Sequence, residues 1–437
     1  MLVKNVGETK KNIDKLFSKN SSFKRNESLT HVVRKILTQK KELLALSKKY
    51  PTPFYIFDKK GLEAGIRAFK LAFQDKVPTM YIYYAMKANP HPLVLSRVVK
   101  EGLGIDVSSG RELEIALKEK PKSIIFTGPA KKMWELELAI KHSDKVTINI
   151  DSQTELKKLI QLSQKHKKHL KIGVRIVTKV HGTWNKFGVL LPELSILWQG
   201  IKKTKYLRPV GIQTHMSFNE TSKSYEVVIT EIGSYLKKHK EILEDLLYID
   251  LGGGFLPYKT QGMHPWEDSL GLVSQIANNY FGPQKSYGVT HIPLPSISLE
   301  KYAEGIGHAI KKHLSFYKGA FFFEPGRVIV NSAMHVALTI EDIKKKNVAI
   351  TDGATNMIGW ERFEYDYFPV INLTHPSLSE KPFTIFGSLC TPNDVWGFYI
   401  HAKKVAEGDV VLIPYQGAYT FTYAQNFIKE IPPVYSL

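Results

Sequence analysis

Five short segments, far apart in this 437-residue chain, carry side chains that together suit one kind of chemistry. They are Tyr84-Ala-Met-Lys87-Ala-Asn89, Thr214-His215-Met216, Leu251-Gly252-Gly253-Gly254-Phe255, Phe323-Glu324-Pro325-Gly326-Arg327 and Gly387-Ser-Leu-Cys390-Thr391-Pro-Asn-Asp394. Lys87 offers an amine that can bond to an aldehyde. Glu324 offers an acid that can keep a ring nitrogen protonated. Three consecutive glycines let backbone N–H groups approach a phosphate, and Arg327 adds a charged fork of donors. Cys390 offers a thiol whose pKa suits reversible proton donation. An aldehyde, a basic ring and a phosphate in one molecule describe pyridoxal phosphate, whose carbanion chemistry also needs a proton donor.

These residues need a frame that brings them to one place. Short apolar, β-branched or aromatic runs at 81–86, 104–107, 123–127, 146–150, 171–176, 210–214, 248–251 and 320–323 alternate with helical patterns at 92–102, 111–119, 152–166 and 225–245. Eight such units suggest a closed (β/α)8 TIM barrel of the α/β class. The polar residues fall at the C-terminal ends of the strands: Lys87, Asp106, Ser109, Gly128, Asp151, Arg175, His215, Gly252 to Gly254, and Glu324 to Arg327. That rim is where loops of such a barrel converge on one mouth.

After Arg327 the pattern changes to short strands and turns, at 348–351, 368–373, 382–386, 410–413 and 417–422, which predicts a C-terminal β domain. The expected division is a basic helical arm over 1–48, a strand over 49–58 that pairs with the β domain, the barrel over 59–328 and the β domain over 329–437. A Gly-, Pro- and Ser-rich stretch over 260–304 reads as an irregular insertion or lid within the last βα unit.

Lys+Arg 61 against Asp+Glu 41 gives a net charge of +20, and residues 1–50 hold 13 of the basic residues against 4 acids. No RNA-binding signature, zinc-finger spacing or basic zipper accompanies that arm, so it reads as a solvated basic helix and nucleic acid is not an expected partner. No stretch approaches the roughly 18 apolar residues of a membrane span, and the lysine-rich start lacks a signal-peptide pattern. One cysteine excludes an intramolecular disulfide and fits a reducing, cytoplasmic setting.

From about Pro51 to Phe427 the chain resembles the fold-type III pyridoxal phosphate enzymes, which include ornithine, arginine and diaminopimelate decarboxylases and, more distantly, alanine racemase. The order and spacing of the five segments carry the resemblance. It implies that Lys87 binds the cofactor aldehyde, Glu324 its ring nitrogen, and Gly252, Gly253, Gly254, Gly326, Arg327 and Tyr419 its phosphate region. It implies that His215 stacks on the ring, that Asp106 with Ser109 and Glu112 orients the lysine and the following helix, and that Arg175 lies near the cofactor hydroxyl. The stretch His181-Gly-Thr-Trp-Asn-Lys-Phe-Gly188 stands where the family has a loop over the pocket. Cys390, in Cys-x-x-x-Asp, would cross a homodimer interface and protonate the carbanion left by departing carbon dioxide.

The chain also departs from the family. Ornithine and diaminopimelate decarboxylases have an acid directly after the cysteine to hold a distal ammonium, and here it is Thr391. The Arg-Pro-x-Leu-Tyr run of diaminopimelate decarboxylases is replaced by Met357-Ile-Gly-Trp360-Glu-Arg-Phe. The usual His-x-Gly-Ser becomes His215-Met-Ser217-Phe218, without the phosphate serine in its place. These differences resemble branches acting on modified or tethered amino acids, so the expected substrate is an amino acid, conjugated or carrier-bound, with Asp352, Thr391 and Asp394 as candidate contacts. No metal is expected. The competing readings are a racemase or epimerase of the same fold, against which Glu324 and a cysteine donor argue, and a non-catalytic regulatory relative, against which the presence of both Lys87 and Cys390 argues.

Overall fold

The structure, a computed structural model, describes residues 8, 10, 11, 28–182, 186–265, 290–345, 347–359 and 366–437. The expectations for residues 1–7, 9 and 12–27 of the arm, for 183–185 of the loop over the pocket, for 266–289 of the insertion and for the 360–363 stretch lie outside the described residues.

Strands rich in Ile, Val and Phe, apolar enough to be buried on both faces, pair in parallel in chain order: Met80–Ala85, Gly104–Val107, Ile124–Phe126, Val146–Ile150, Leu170–Val177, Leu207–Gln213, Tyr248–Asp250 and Ala320–Phe323. Phe321 lies opposite Met80, so the eighth strand returns to the first and the barrel closes. Polar caps place the turns along its C-terminal rim. Ser109 and Ser152 each accept an N–H three residues on, from Glu112 and Glu155, and so start the helices Gly110–Lys118 and Gln153–His166 directly after their strands. The last helix of the ring comes from before the first strand. Lys59–Phe73, capped by Asp58, buries Phe69 and Phe73 against Phe255 and Phe323.

The second unit is also closed. Met334–Lys345 pairs with Val348–Thr351 and Val410–Ile413, and Pro376–Phe386, Val395–Ala402 and Ile371–Asn372 complete the circuit. Alternate residues Met334, Val336, Leu338 and Ile340 fill its interior. Phe54–Phe57 adds to this sheet, antiparallel to Met334–Lys345 and parallel to Val434–Ser436, so a strand from before the barrel and one from the end of the β domain lie side by side.

Four expectations need correction. From Leu29 onward the arm is not a solvated helix: Thr30–Thr38 and Lys40–Lys49 bury Val33, Ile36 and Leu43 against Phe54, Ile56 and Leu412, because their apolar residues recur on one face. The helix read over 225–245 is two, Lys223–Lys238 and Lys240–Leu243, broken at His239. The irregular stretch ends earlier than 304, since Leu299–His313 is a helix capped by Ser298. Residues 417–422 form no strand. Tyr419 has φ +58°, and a Cβ on Gly417 would lie 1.7 Å from the Val330 carbonyl oxygen, so the segment turns onto the barrel instead of pairing.

Candidate active site

Lys87 lies in the single turn Met86–Ala88 that follows the first barrel strand, and it faces a cavity of about 600 Å³ together with His215, Gly254, Glu324, Arg327 and Tyr419. Tyr419 is brought there from the β domain by its N–H, which donates to the Ala88 carbonyl at 2.8 Å. Burial alone would lower the Lys87 pKa. The charges of Asp106, Tyr419 and Glu324 outweigh both burial and the repulsion of Arg175, and hold it above the ordinary lysine value.

Glu324 is 2% exposed. Nε2 of Gln213 donates to its two oxygens at 3.3 and 3.4 Å, and Nδ1 of His215 lies 3.3 Å from Oε2. Burial pushes Glu324 upward, but the contact with His215 and the charge of Lys87 hold it below the usual carboxylate value. Burial first, and Glu324 second, push both Asp106 and Asp250 well above theirs. Burial and the Lys87 charge bring His215 down to about 4, so its ring is neutral near pH 7. Nδ1 of that ring also lies 3.2 Å from the Gly253 N–H. One tautomer can therefore donate to Glu324, and the other can accept from Gly253.

The glycine loop is fixed by its own contacts. Asp250 accepts the Gly252 N–H at 2.9 Å, and Tyr225 donates its hydroxyl to the Gly253 carbonyl at 2.6 Å. A Cβ on Gly254, at φ +92°, would lie 2.1 Å from the Met216 carbonyl oxygen, so only glycine fits. Arg327 lies over two aromatic rings, 4.8 Å from the centre of Tyr419 and 5.5 Å from that of Phe218. Phe218 stands at φ +53° on the cavity rim, while Ser217 faces the cavity.

The remaining predicted residues are placed as follows. Arg175 is 3.7 Å from Asp151 and packs on Phe187. Glu112 accepts the Ser108 N–H at 2.6 Å, closing the turn after the second strand. Cys390 is exposed and does not line this chain's cavity. Neither do Asp352, Thr391 or Asp394. Both oxygens of Asp394 are taken, accepting the N–H groups of Thr355 and Leu389 at 2.8 and 2.7 Å, and Asp352 accepts the Thr339 N–H. Asp352 and Asp394 thus spend oxygens on N–H groups of the β domain, and like Cys390 and Thr391 they stand away from this chain's own cavity.

Sequence reasoning missed Gln213 and Asp250. Both are polar residues near the ends of buried barrel strands, which was the available signal. It also missed Gln261, Gly262, Met263 and Asp366, which line the cavity from irregular segments that have no periodicity to read.

These residues fit pyridoxal phosphate. Lys87 and Glu324 face one cavity, a glycine loop and Arg327 stand at its rim, and Oδ1 of Asp106 is buried without a hydrogen-bond partner among the described residues.

The profile of the pyridoxal-dependent decarboxylase pyridoxal-binding domain matches residues 63–331. The L-glutamyl-[BtrI acyl-carrier protein] decarboxylase of Niallia circulans is 26% identical over 416 residues, covering 90% of each chain. The diaminopimelate decarboxylase of Bacteroides thetaiotaomicron is 25% identical over 88% of this chain and 95% of its own. The crystal structure of Helicobacter pylori diaminopimelate decarboxylase complexed with L-lysine superposes with a TM-score of 0.72 at 24% identity, covering 90% of this chain and 94% of that one. The cavity that brings Lys87, Glu324, Gly254 and Arg327 together is therefore that of a decarboxylase, and the chain belongs to the pyridoxal-dependent decarboxylase family.

Proposed function

We propose that this decarboxylase removes the α-carboxylate from an amino acid carried as a conjugate, on an acidic carrier, and works as a cytoplasmic homodimer whose subunits share active sites. The observation that carries this reading is the facing of Lys87 and Glu324 across one cavity whose wall lacks Cys390. An exposed thiol on the β domain suits a site completed by a second copy. The similarity to a carrier-protein decarboxylase and the +20 charge support a tethered substrate on an acidic partner. We assign the barrel to 59–328 and the β domain to 329–437, with 49–58 as its added strand.

Bound pyridoxal phosphate would supply the electron sink for the pair released with carbon dioxide. Lys87 would hold the aldehyde through Nζ, and Glu324, kept below the ordinary carboxylate value by the His215 contact, would hold the ring nitrogen. Gly252 to Gly254, Gly326, Arg327 and Tyr419 would hold the phosphate, His215 would present its neutral ring to the cofactor face, and Asp106 and Arg175 would orient the amine and the ring hydroxyl. Cys390 of the partner subunit returns a proton to the α-carbon, and Thr391 beside it brings no acid to hold a distal ammonium.

The test is carbon dioxide release by the holoenzyme from a panel of L-lysine, L-ornithine, meso-diaminopimelate, L-glutamate and the L-glutamyl thioester of N-acetylcysteamine. Faster turnover of the thioester supports the proposal. Preference for a free diamino acid would overturn the substrate assignment, and optical inversion without carbon dioxide would overturn the reaction.

A further inference from the structure

One side of the cavity is built from very little. Gly262–Met263 is the middle strand of a three-stranded antiparallel sheet, with Gly262 opposite both Pro293 and Tyr367. Gln261, Gly262, Met263, Leu294 and Asp366 from these strands and their flanks line the cavity. Each strand is two residues long, too short for a sheet to be stable on its own hydrogen bonds. Something behind the sheet must hold it.

Behind it lies a buried polar group that the decarboxylation chemistry does not use. Glu380, on the β-domain strand Pro376–Phe386, accepts the Tyr367 hydroxyl on Oε1 and the Thr290 hydroxyl on Oε2. Nδ1 of His291 is 3.5 Å from Oε2, and Nε2 of His401 is 3.4 Å from Oε1. The His291 and Tyr367 rings stack at 3.9 Å with an interplanar angle of 11°. His291 then reaches the arm, because its Nε2 accepts the Leu29 N–H at 3.0 Å. Leu29, Val32 and Tyr367 form one buried apolar cluster, and a Cβ on Gly262 would lie 3.2 Å from Cδ1 of Leu29. The arm thus stands one glycine backbone away from the cavity.

We infer that Leu29, His291, Tyr367 and Glu380 are positioning residues for the substrate: they brace the Gly262–Met263 wall of the cavity from behind, and this is a role of the N-terminal arm. Three separate pieces of chain meet at one carboxylate, the insertion, the segment at Tyr367 and the β-domain hairpin, and the arm joins them through the Leu29 N–H to His291. A buried carboxylate demands several directed partners, and these are placed only when the three pieces are docked. Because the wall strand presents a glycine, the brace sets its position through the backbone. The inference rests on the reading of this cavity as the reaction site.

The test compares Leu29→Ala and Glu380→Gln with Ile36→Ala in the full-length holoenzyme. Ile36 packs the same arm against the β domain in a separate cluster and does not touch the wall. Backbone amide exchange at Gly262, Met263 and Leu294 is expected to rise about ten-fold or more in the first two variants and to stay at the wild-type rate in Ile36→Ala. Pyridoxal phosphate affinity, from absorbance titration of the apoenzyme, is expected to stay within about two-fold. On the panel substrate turned over best, KM is expected to rise by a larger factor than kcat falls. Unchanged exchange in both brace variants, or an equal rise in Ile36→Ala, would overturn the inference. If wild type releases carbon dioxide from no member of the panel, the functional proposal falls, and the exchange comparison still decides the brace.

Discussion

Oε2 of Glu324 lies 3.3 Å from Nδ1 of His215, and Gln213 donates to the same carboxylate from the strand Leu207–Gln213, two places along the barrel. The His215 contact helps to hold this buried acid below the ordinary carboxylate value, against burial, which raises it. Gln213→Leu removes one donor without altering the side chain nearest the proposed cofactor face, and His215→Phe removes the other contact. In each variant the acid limb of the kcat profile is expected to move to higher pH by about one unit, with kcat reduced roughly ten-fold. A limb that stays in place in both would show that Glu324 does not govern it.

Lys87 is the amine in the cavity, so Lys87→Ala is expected to lower carbon dioxide release by at least about three orders of magnitude. Borohydride reduction of wild-type holoenzyme should leave the cofactor mass on the tryptic peptide containing Lys87, and no labelled peptide in the variant. Label recovered on another lysine would contradict the assignment.

If Cys390 acts across a dimer, Lys87→Ala and Cys390→Ala subunits should complement each other. Random reassociation puts about half the dimers in mixed form with one intact site of two, so mixing the two inactive variants should restore about a quarter of wild-type activity. Sedimentation of the mixture checks that exchange has occurred. A reassociated mixture that stays inactive would place the thiol in its own subunit's site.

Asp394 clamps the turn that carries Cys390, accepting the N–H groups of Thr355 and Leu389. Asp394→Ala leaves those buried donors unmet and is expected to cost about 2 kcal/mol of stability in urea unfolding. The ratio of activities across the substrate panel should be unchanged. A changed ratio would restore the residue to substrate recognition.

Glu380 gives the fold a pH signature. Burial raises its pKa, but the close His291 and His401 rings outweigh burial and hold it well below the carboxylate range. A carboxylate depressed in the folded state contributes stability that is fully present above its unfolded pKa, about 4.3, and is lost as pH falls towards the folded value. Wild type should therefore lose stability faster than Glu380→Gln as pH drops below about 4, as read by thermal unfolding. Parallel losses in the two proteins would remove Glu380 from the acid response.

The sequence by itself determined the barrel, its cofactor and which chemistry-bearing residues end each strand. Strand and helix periods are local, and Lys87, Glu324 and the glycine loop sit at fixed offsets from them. The tertiary structure decided whatever depends on contacts between distant segments. It supplied the eighth barrel helix from before the first strand, because an amphipathic helix does not encode which gap it fills. It turned residues 417–422 from a predicted strand into the turn that delivers Tyr419, and it used the oxygens of Asp352 and Asp394 on nearby N–H groups. It also gave the arm a packed face and joined Leu29 to Glu380 across 351 positions of chain, because a buried carboxylate gathers its donors in space and leaves no periodic trace in sequence.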